Sequence, residues 1–142
     1  MNTRVRAIIR KENAILLIHR IKKGREYWVF PGGGVEKDDG NMEVALIREC
    51  KEELGVEVRI GDLFTSTILE EIDKEQREFF YFCEVTGGKI GTGSGPEFQK
   101  STGYEGMYVL EWISMEDLPL KDIQPAEVKE RLLKEAQDDD LY

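Results

Sequence analysis

Histidine is nearly missing from this chain, cysteine is scarce, and cations are outnumbered. The 142 residues include one histidine and two cysteines. Cys50 and Cys83 do not show zinc-type spacing. Two thiols, and no export signal in a polar and then alternating N-terminal stretch, predict a reducing, cytoplasmic setting. The sole histidine, His19, reads as a strand residue near the surface rather than a catalytic base. Long apolar runs are lacking too. The longest, Ala14-Ile15-Leu16-Leu17-Ile18, is far short of the ~20 residues of a transmembrane helix, so no membrane partner is expected. Lysine and arginine total 20 against 29 aspartates and glutamates, a net charge of −9. That charge argues against broad backbone binding to duplex nucleic acid, which needs basic patches. It leaves room for a small anionic substrate, drawn in by metal ions and a few local cations.

What is present suits one ordinary domain over 1–142, since 40% of the residues are hydrophobic. There is no repeat, low-complexity tract or internal linker. Residues 4–10 and 14–20 read as two strands, the second continuously apolar like a strand buried on both faces. An aromatic strand over 27–30 ends at Pro31-Gly32-Gly33-Gly34. Asn41 is a candidate N-cap, and Met42, Ala45, Leu46, Cys50 and Leu54 recur at helical spacing before Gly55. An amphipathic helix over 42–54 is predicted. Strands follow at 56–60, 63–70, 77–85 and 107–113, with a glycine-rich loop over 86–105. A turn or short helix covers 115–118. Pro125 opens a second helix that continues over 126–136, and the tail from 138 frays. The fold class is α/β with a mixed, partly antiparallel sheet.

Glu49, Glu52 and Glu53 stand at i, i+3 and i+4, on one side of that first helix within roughly 100° of arc. Their mutual repulsion, a few tenths of a kcal/mol per i,i+4 pair, reverses when a divalent cation binds. Carboxylate oxygens suit Mg²⁺, Mn²⁺ or Ca²⁺. The glycine turn lets backbone groups approach a ligand, so its carbonyls can add metal ligands and its N–H groups can face phosphate. A metal beside such a turn suits hydrolysis of a phosphoanhydride. The plain alternative, a solvated helix face in an acidic protein, would hold for the glutamates alone. Arg48, Gly55 and the glycine turn at the right distance weigh against it. A calcium loop at Asp38-Asp39-Gly40-Asn41 fails, because it would place Val35, Lys37 and Leu46 at ligand positions.

These residues resemble the Nudix hydrolase family. Its box runs Gly, five residues, Glu, seven residues, Arg-Glu, an aliphatic residue, any residue, Glu-Glu, any residue, Gly, then an aliphatic residue. Arg48-Glu49-Cys50-Lys51-Glu52-Glu53-Leu54-Gly55-Val56 matches the second half, with Cys50 at an aliphatic position, and Gly34 fits the first position. The isolated Glu is replaced by Gly40 in strict register, or by Asp39 if the count starts at Gly33 with one extra loop residue. Trp28 to Gly34, and Glu111-Trp112-Ile113-Ser114 through Leu118, resemble the flanking strands. The resemblance implies an α/β/α sandwich and a metal-dependent pyrophosphohydrolase with Mg²⁺ as cofactor, Mn²⁺ also serving. It acts on a nucleoside diphosphate linked to another group. The resemblance makes Glu49, Glu52 and Glu53 the metal ligands, with the carbonyl of Gly33 or Gly34, and has Arg48 brace a glutamate. The general base is Glu49 or Glu53, or Glu97 or Glu105 of the late loop. A homodimer would be in keeping with the family.

By charge alone Arg4, Arg6, Arg20 and Arg77 are candidates for substrate phosphate. Trp28, Tyr27 and Phe30 read as core and sheet face. Among Phe79, Phe80, Tyr81 and Phe82, alternation turns two inward and two away. Two competing functions stay in view: a nucleotide-binding or regulatory module without turnover, and an enzyme of the RNA 5′ end, which the acidic charge disfavours.

Overall fold

The computed structural model describes residues 2–71, 74–93 and 107–140. In chain order these form β1 (Asn2–Lys11), β2 (Ala14–Lys22), β3 (Arg25–Val29), β4 (Gly32–Gly34), a 3-10 turn (Lys37–Asp39), α1 (Met42–Leu54), β5 (Val56–Glu71) and β6 (Lys74–Gly88). Then come β7 (Met107–Ser114), a second 3-10 turn (Leu118–Leu120), β8 (Ile123–Gln124) and α2 (Ala126–Asp140). The mixed α/β class expected from the sequence is present. The chain divides into two compact units, 1–9 with 31–104 and 10–30 with 105–142.

In the first unit, β1 is flanked by β6, which runs parallel to it, and by β4, which runs antiparallel. β5 pairs antiparallel with β6 as an outer strand. Sequence reading splits β5 at Gly61-Asp62. The structure instead carries one strand across, with register shifts between Ile60 and Leu63 and between Leu63 and Thr65. Bulges absorb the extra residues that would otherwise end the strand. The aromatic run of β6 alternates as expected, and each face carries one buried ring and one half-buried ring, Phe82 beside Phe80 and Phe79 beside Tyr81. Phe80 is fully buried and Tyr81, on the opposite face, is 8% exposed.

α1 packs on β4 and β5. Its bounds coincide with the predicted ones because both ends are capped as their residues dictate. The Asn41 side chain accepts from the Val44 N–H at 2.9 Å. Gly55 turns left-handed at φ 80° and donates its N–H to the Cys50 and Lys51 carbonyls. The buried stripe is Ala45, Leu46, Cys50, Glu53 and Leu54. Each leucine contributes about 2 kcal/mol by leaving water.

In the second unit β2 lies antiparallel between β7 and β3, and β3 pairs parallel with β8. Ile15 to Ile18 are at most 1% exposed, as the apolar run predicts. β3 starts two residues earlier than expected. Lys23 (φ 53°) and Gly24 (φ 75°) form a two-residue hairpin loop with both φ positive. Pro125 is not the first helical residue but sits just before the helix, and its carbonyl accepts from the Val128 N–H at 3.1 Å. Val128 and Leu132 of α2 are buried beside Leu118 and Ile123. Among the described residues no helix is long and apolar enough to cross a membrane.

Candidate active site at the acidic helix and glycine turn

Arg48 is the hub of the first unit's polar residues. It projects from the flank of α1 beside the buried stripe, and its side chain is 23% exposed. Its Nε donates to Asp39 Oδ1 at 2.7 Å and its Nη2 to Asp39 Oδ2 at 2.8 Å. This is the two-pronged arrangement in which a guanidinium binds a carboxylate most strongly. Nη2 also donates to the Gly34 carbonyl at 3.0 Å. Nη1 donates to Glu49 Oε1 at 3.1 Å and to Glu52 Oε2 at 3.2 Å.

Asp39 therefore meets Arg48 where the sequence left Asp39 and Gly40 as alternatives. Gly40 has no side chain to offer. Asp39 is held in place by its own turn, where Oδ2 accepts from the Glu36 N–H at 2.7 Å. The Glu36-x-x-Asp39 spacing is a reciprocal cap, and it was the available sign that Asp39 points inward. Hydrogen bonds from Arg48, and next from the Glu36 N–H, hold the Asp39 carboxyl down at about 2. The same bond to Asp39 raises Arg48 above its already high value.

Glu49 and Glu53 both reach the glycine turn. A Cβ on Gly33 would lie 2.5 Å from the Glu49 carboxyl carbon, so only glycine leaves room for that side chain. Glu53 Oε1 accepts from the Gly32 N–H at 3.3 Å. Burial pushes the Glu49 carboxyl up, and Arg48 opposes the shift. Burial raises the thiol of Cys50, between these two glutamates, with Cys83 the next cause. Cys83 itself is pushed up to about 12 by burial. Both cysteines are free.

The three-way convergence of carboxylates expected from i, i+3, i+4 spacing is not formed. Among the described residues no group of three or more His, Cys, Asp or Glu stands ready to hold a metal ion. Glu53 is 8% exposed and turned to the Gly32 amide. The Glu52 side chain is 45% exposed, on the outer side of Arg48. The guanidinium bonds to both Glu49 and Glu52 and so compensates their repulsion. The donor set still fits a hard divalent cation: carboxylates of one helix, two of them against backbone, with a side-chain-free cradle at Gly33.

The remaining sequence candidates scatter. Arg6 is committed to Glu78 at 2.8 Å. Arg77 lies opposite Thr3 on β6, and its buried Nε has no hydrogen-bond partner among the described residues. Arg20, in the second unit, lies over the Tyr108 ring at 5.4 Å. Glu97 and Glu105 lie outside the described residues. His19 is a half-buried residue of β2. Its side chain is 13% exposed, stacks on Trp28 at 4.3 Å, and places Nδ1 2.7 Å from Glu111. Sequence reading missed this cluster, because it joins three strands that only the sheet brings together.

A family model described as NUDIX domain matches residues 2–134. The chain is 31% identical over 128 residues to the CTP pyrophosphohydrolase of Escherichia coli K12, covering 87% of this chain and 84% of that protein. It is 33% identical over 76 residues to the human diphosphoinositol polyphosphate phosphohydrolase 2, covering 54% of this chain and 40% of that protein. The solution structure of the E. coli ORF135 protein superposes with a TM-score of 0.71 at 26% identity, covering 96% of this chain and 89% of that one. A MutT NUDIX hydrolase of Burkholderia pseudomallei gives a TM-score of 0.67 at 22% identity, covering 90% and 94%, a likeness of fold. With its box residues gathered around one arginine and the family model spanning nearly its whole length, the chain belongs to the NUDIX family of hydrolases.

Proposed function

We propose that this chain is a divalent-cation-dependent pyrophosphohydrolase of a small nucleotide or nucleotide derivative. The observation that carries the reading is the Arg48 hub, which ties Asp39, Glu49 and Glu52 to the Gly34 carbonyl beside the glycine turn. Glu49, Glu52 and Glu53 would hold Mg²⁺ or Mn²⁺. Gly33 is the better backbone ligand of the two, since the Gly34 carbonyl already accepts from Arg48. The cation, when bound, supplies charge neutralisation at the pyrophosphate and a more acidic water. Arg48 keeps Glu49 and Glu52 aligned, and Asp39 keeps Arg48 aligned. Glu49 or Glu53 accepts the proton of the attacking water. Glu49 is suited to that step because burial pushes its carboxyl up and so favours its taking a proton, with Arg48 opposing the shift.

The first relative above is named for CTP, so nucleoside triphosphates head the substrate panel, followed by nucleoside diphosphate sugars and dinucleoside polyphosphates. Two buried free thiols suit a reducing, cytoplasmic compartment. The test is phosphate or pyrophosphate release from that panel with Mg²⁺ and with EDTA. Turnover with the cation and none with the chelator is the expected result. Glu53→Gln should lower kcat by about 10²-fold or more while its circular dichroism stays that of the parent. Near-parent turnover in that variant would remove Glu53 from the site.

A further inference from the structure

A cavity of about 300 Å³ opens in the first unit between residues 2–4 of β1 and 34–37, which run from β4 into the 3-10 turn. It shares Gly34 with the Arg48 hub. Its floor is closed by the Val35 N–H donating to the Thr3 carbonyl at 2.9 Å. Arg4 lies directly opposite Gly34 in the β1–β4 register. A Cβ on Gly34 would meet nothing within 4 Å, so the space at Gly34, across from Arg4, is open.

The charges around this cavity are unusual for an acidic chain. Arg4 and Lys37 line it, and neither forms an ion pair among the described residues. Two nearby carboxylates are drawn to other partners, while Asp38, next to Lys37 in the chain, is exposed. Glu78, opposite Arg4 on β6, bonds Arg6 through Oε2 and Gln76 through Oε1. Glu36, in the cavity wall, leans to Arg48 at 3.7 Å and is 68% exposed. The backbone of the Lys37 turn is held in place, because Asp39 anchors it to Arg48. Two cations without an ion pair among the described residues, in a concave, polar recess of a molecule of net charge −9, can draw a small anion. A volume near 300 Å³ is at the small end of ligand pockets, with room for a phosphate group and its water shell, and it is the two cations that favour an anion there.

We propose that Arg4 and Lys37 form a subsite for a second phosphate group of the substrate, remote from the bridge that is cleaved. This deepens the pyrophosphohydrolase reading and rests on it. The chain then prefers phosphoanhydrides that carry an additional phosphate over those whose far group is neutral. Arg4 supplies planar donors to phosphate oxygens and Lys37 a mobile point charge. No bond forms or breaks at this subsite, and its contribution is to binding.

The test has a binding arm and a turnover arm. In the first, inorganic tripolyphosphate is titrated into the full-length protein in EDTA while backbone amide resonances are followed. Shifts centred on residues 2–4 and 34–37 are expected, and Arg4→Gln with Lys37→Gln should weaken the affinity about tenfold. In the second, kinetics are compared on a nucleoside diphosphate sugar with and without one added phosphate. The double variant should raise KM about tenfold for the phosphorylated member only, with kcat held for both. Shifts that map elsewhere, an unchanged affinity, or equal losses on both substrates would overturn the subsite. If tripolyphosphate seats in the cavity but neither sugar nucleotide nor any nucleotide is cleaved, the hydrolase reading falls and the anion site stands. Turnover with a silent cavity gives the reverse.

Discussion

The guanidinium of Arg48 reaches four partners at 3.2 Å or less: Asp39, the Gly34 carbonyl, Glu49 and Glu52. A lysine ammonium is a single point and cannot reproduce that planar fork. Arg48→Lys is therefore expected to lower kcat by about 10- to 100-fold, the effect of one lost charged hydrogen bond. Initial rates on the preferred nucleotide measure it, and a rate within twofold of the parent would contradict the hub. Asp39 gives a pH prediction. Its carboxyl is held at about 2 in the folded chain against an ordinary value of 3.8. A depressed acid contributes stability that is complete above the unfolded value and lost as pH falls through the folded one. Urea midpoints of parent and Asp39→Asn should thus differ most above pH 4 and converge as pH drops toward 2. A gap that stays constant down to pH 2 would show that Arg48 does not hold the carboxylate. Glu49 has the opposite sign, since burial disfavours its charged form.

At the scale of elements, α1 is the part that positions the site, and its two ends are its weak points. Gly55 holds φ 80°, and a Cβ there would lie 2.2 Å from Thr92 Oγ1 and 2.6 Å from the Gly93 amide nitrogen. Gly55→Ala should destabilise the fold by about 1–2 kcal/mol from left-handed backbone strain alone, with the clash adding to it. Asn41→Ala removes the cap to Val44 and should lower stability by about 1 kcal/mol. Urea unfolding followed by circular dichroism reads both. A Gly55 variant as stable as the parent would mean that the C-terminal turn rearranges freely. Gly33→Ala belongs to the same scale but has a different readout. It forces Glu49 away from β4, so turnover should fall further than stability. The β5 bulges teach a similar lesson, since a glycine within an apolar run marked an irregularity in a strand and not its end.

At the scale of the molecule, a ligand that binds only the folded chain stabilises it by mass action. Mg²⁺ at a hundred times its dissociation constant should add about 2.7 kcal/mol, seen as a rise in Tm that EDTA reverses. A Tm indifferent to Mg²⁺ and Mn²⁺, with and without nucleotide, would argue that the carboxylates hold no cation. Both thiols are buried and shifted upward. An aromatic disulfide reagent at pH 8 should therefore label neither in the native protein and both after denaturation. Rapid native labelling of either would contradict the packing of α1 on its sheet.

Local chemistry determined what could be read directly from the chain. Asn41 and Gly55 set the ends of α1, the apolar run of β2 announced a strand buried on both faces, and the spacing of Arg48, Glu49, Glu52, Glu53 and Gly55 marked the family. All of these depend on residues within a turn or two of one another, so period and cap suffice. The tertiary structure alone decided that Glu53 turns to a backbone amide, that His19 stacks on Trp28, and that Arg4 lies across from Gly34 in a cavity wall. Each of those outcomes depends on strand register and on side chains brought together from distant positions. A one-residue change in register would move every one of them, and nothing local in the chain records that choice.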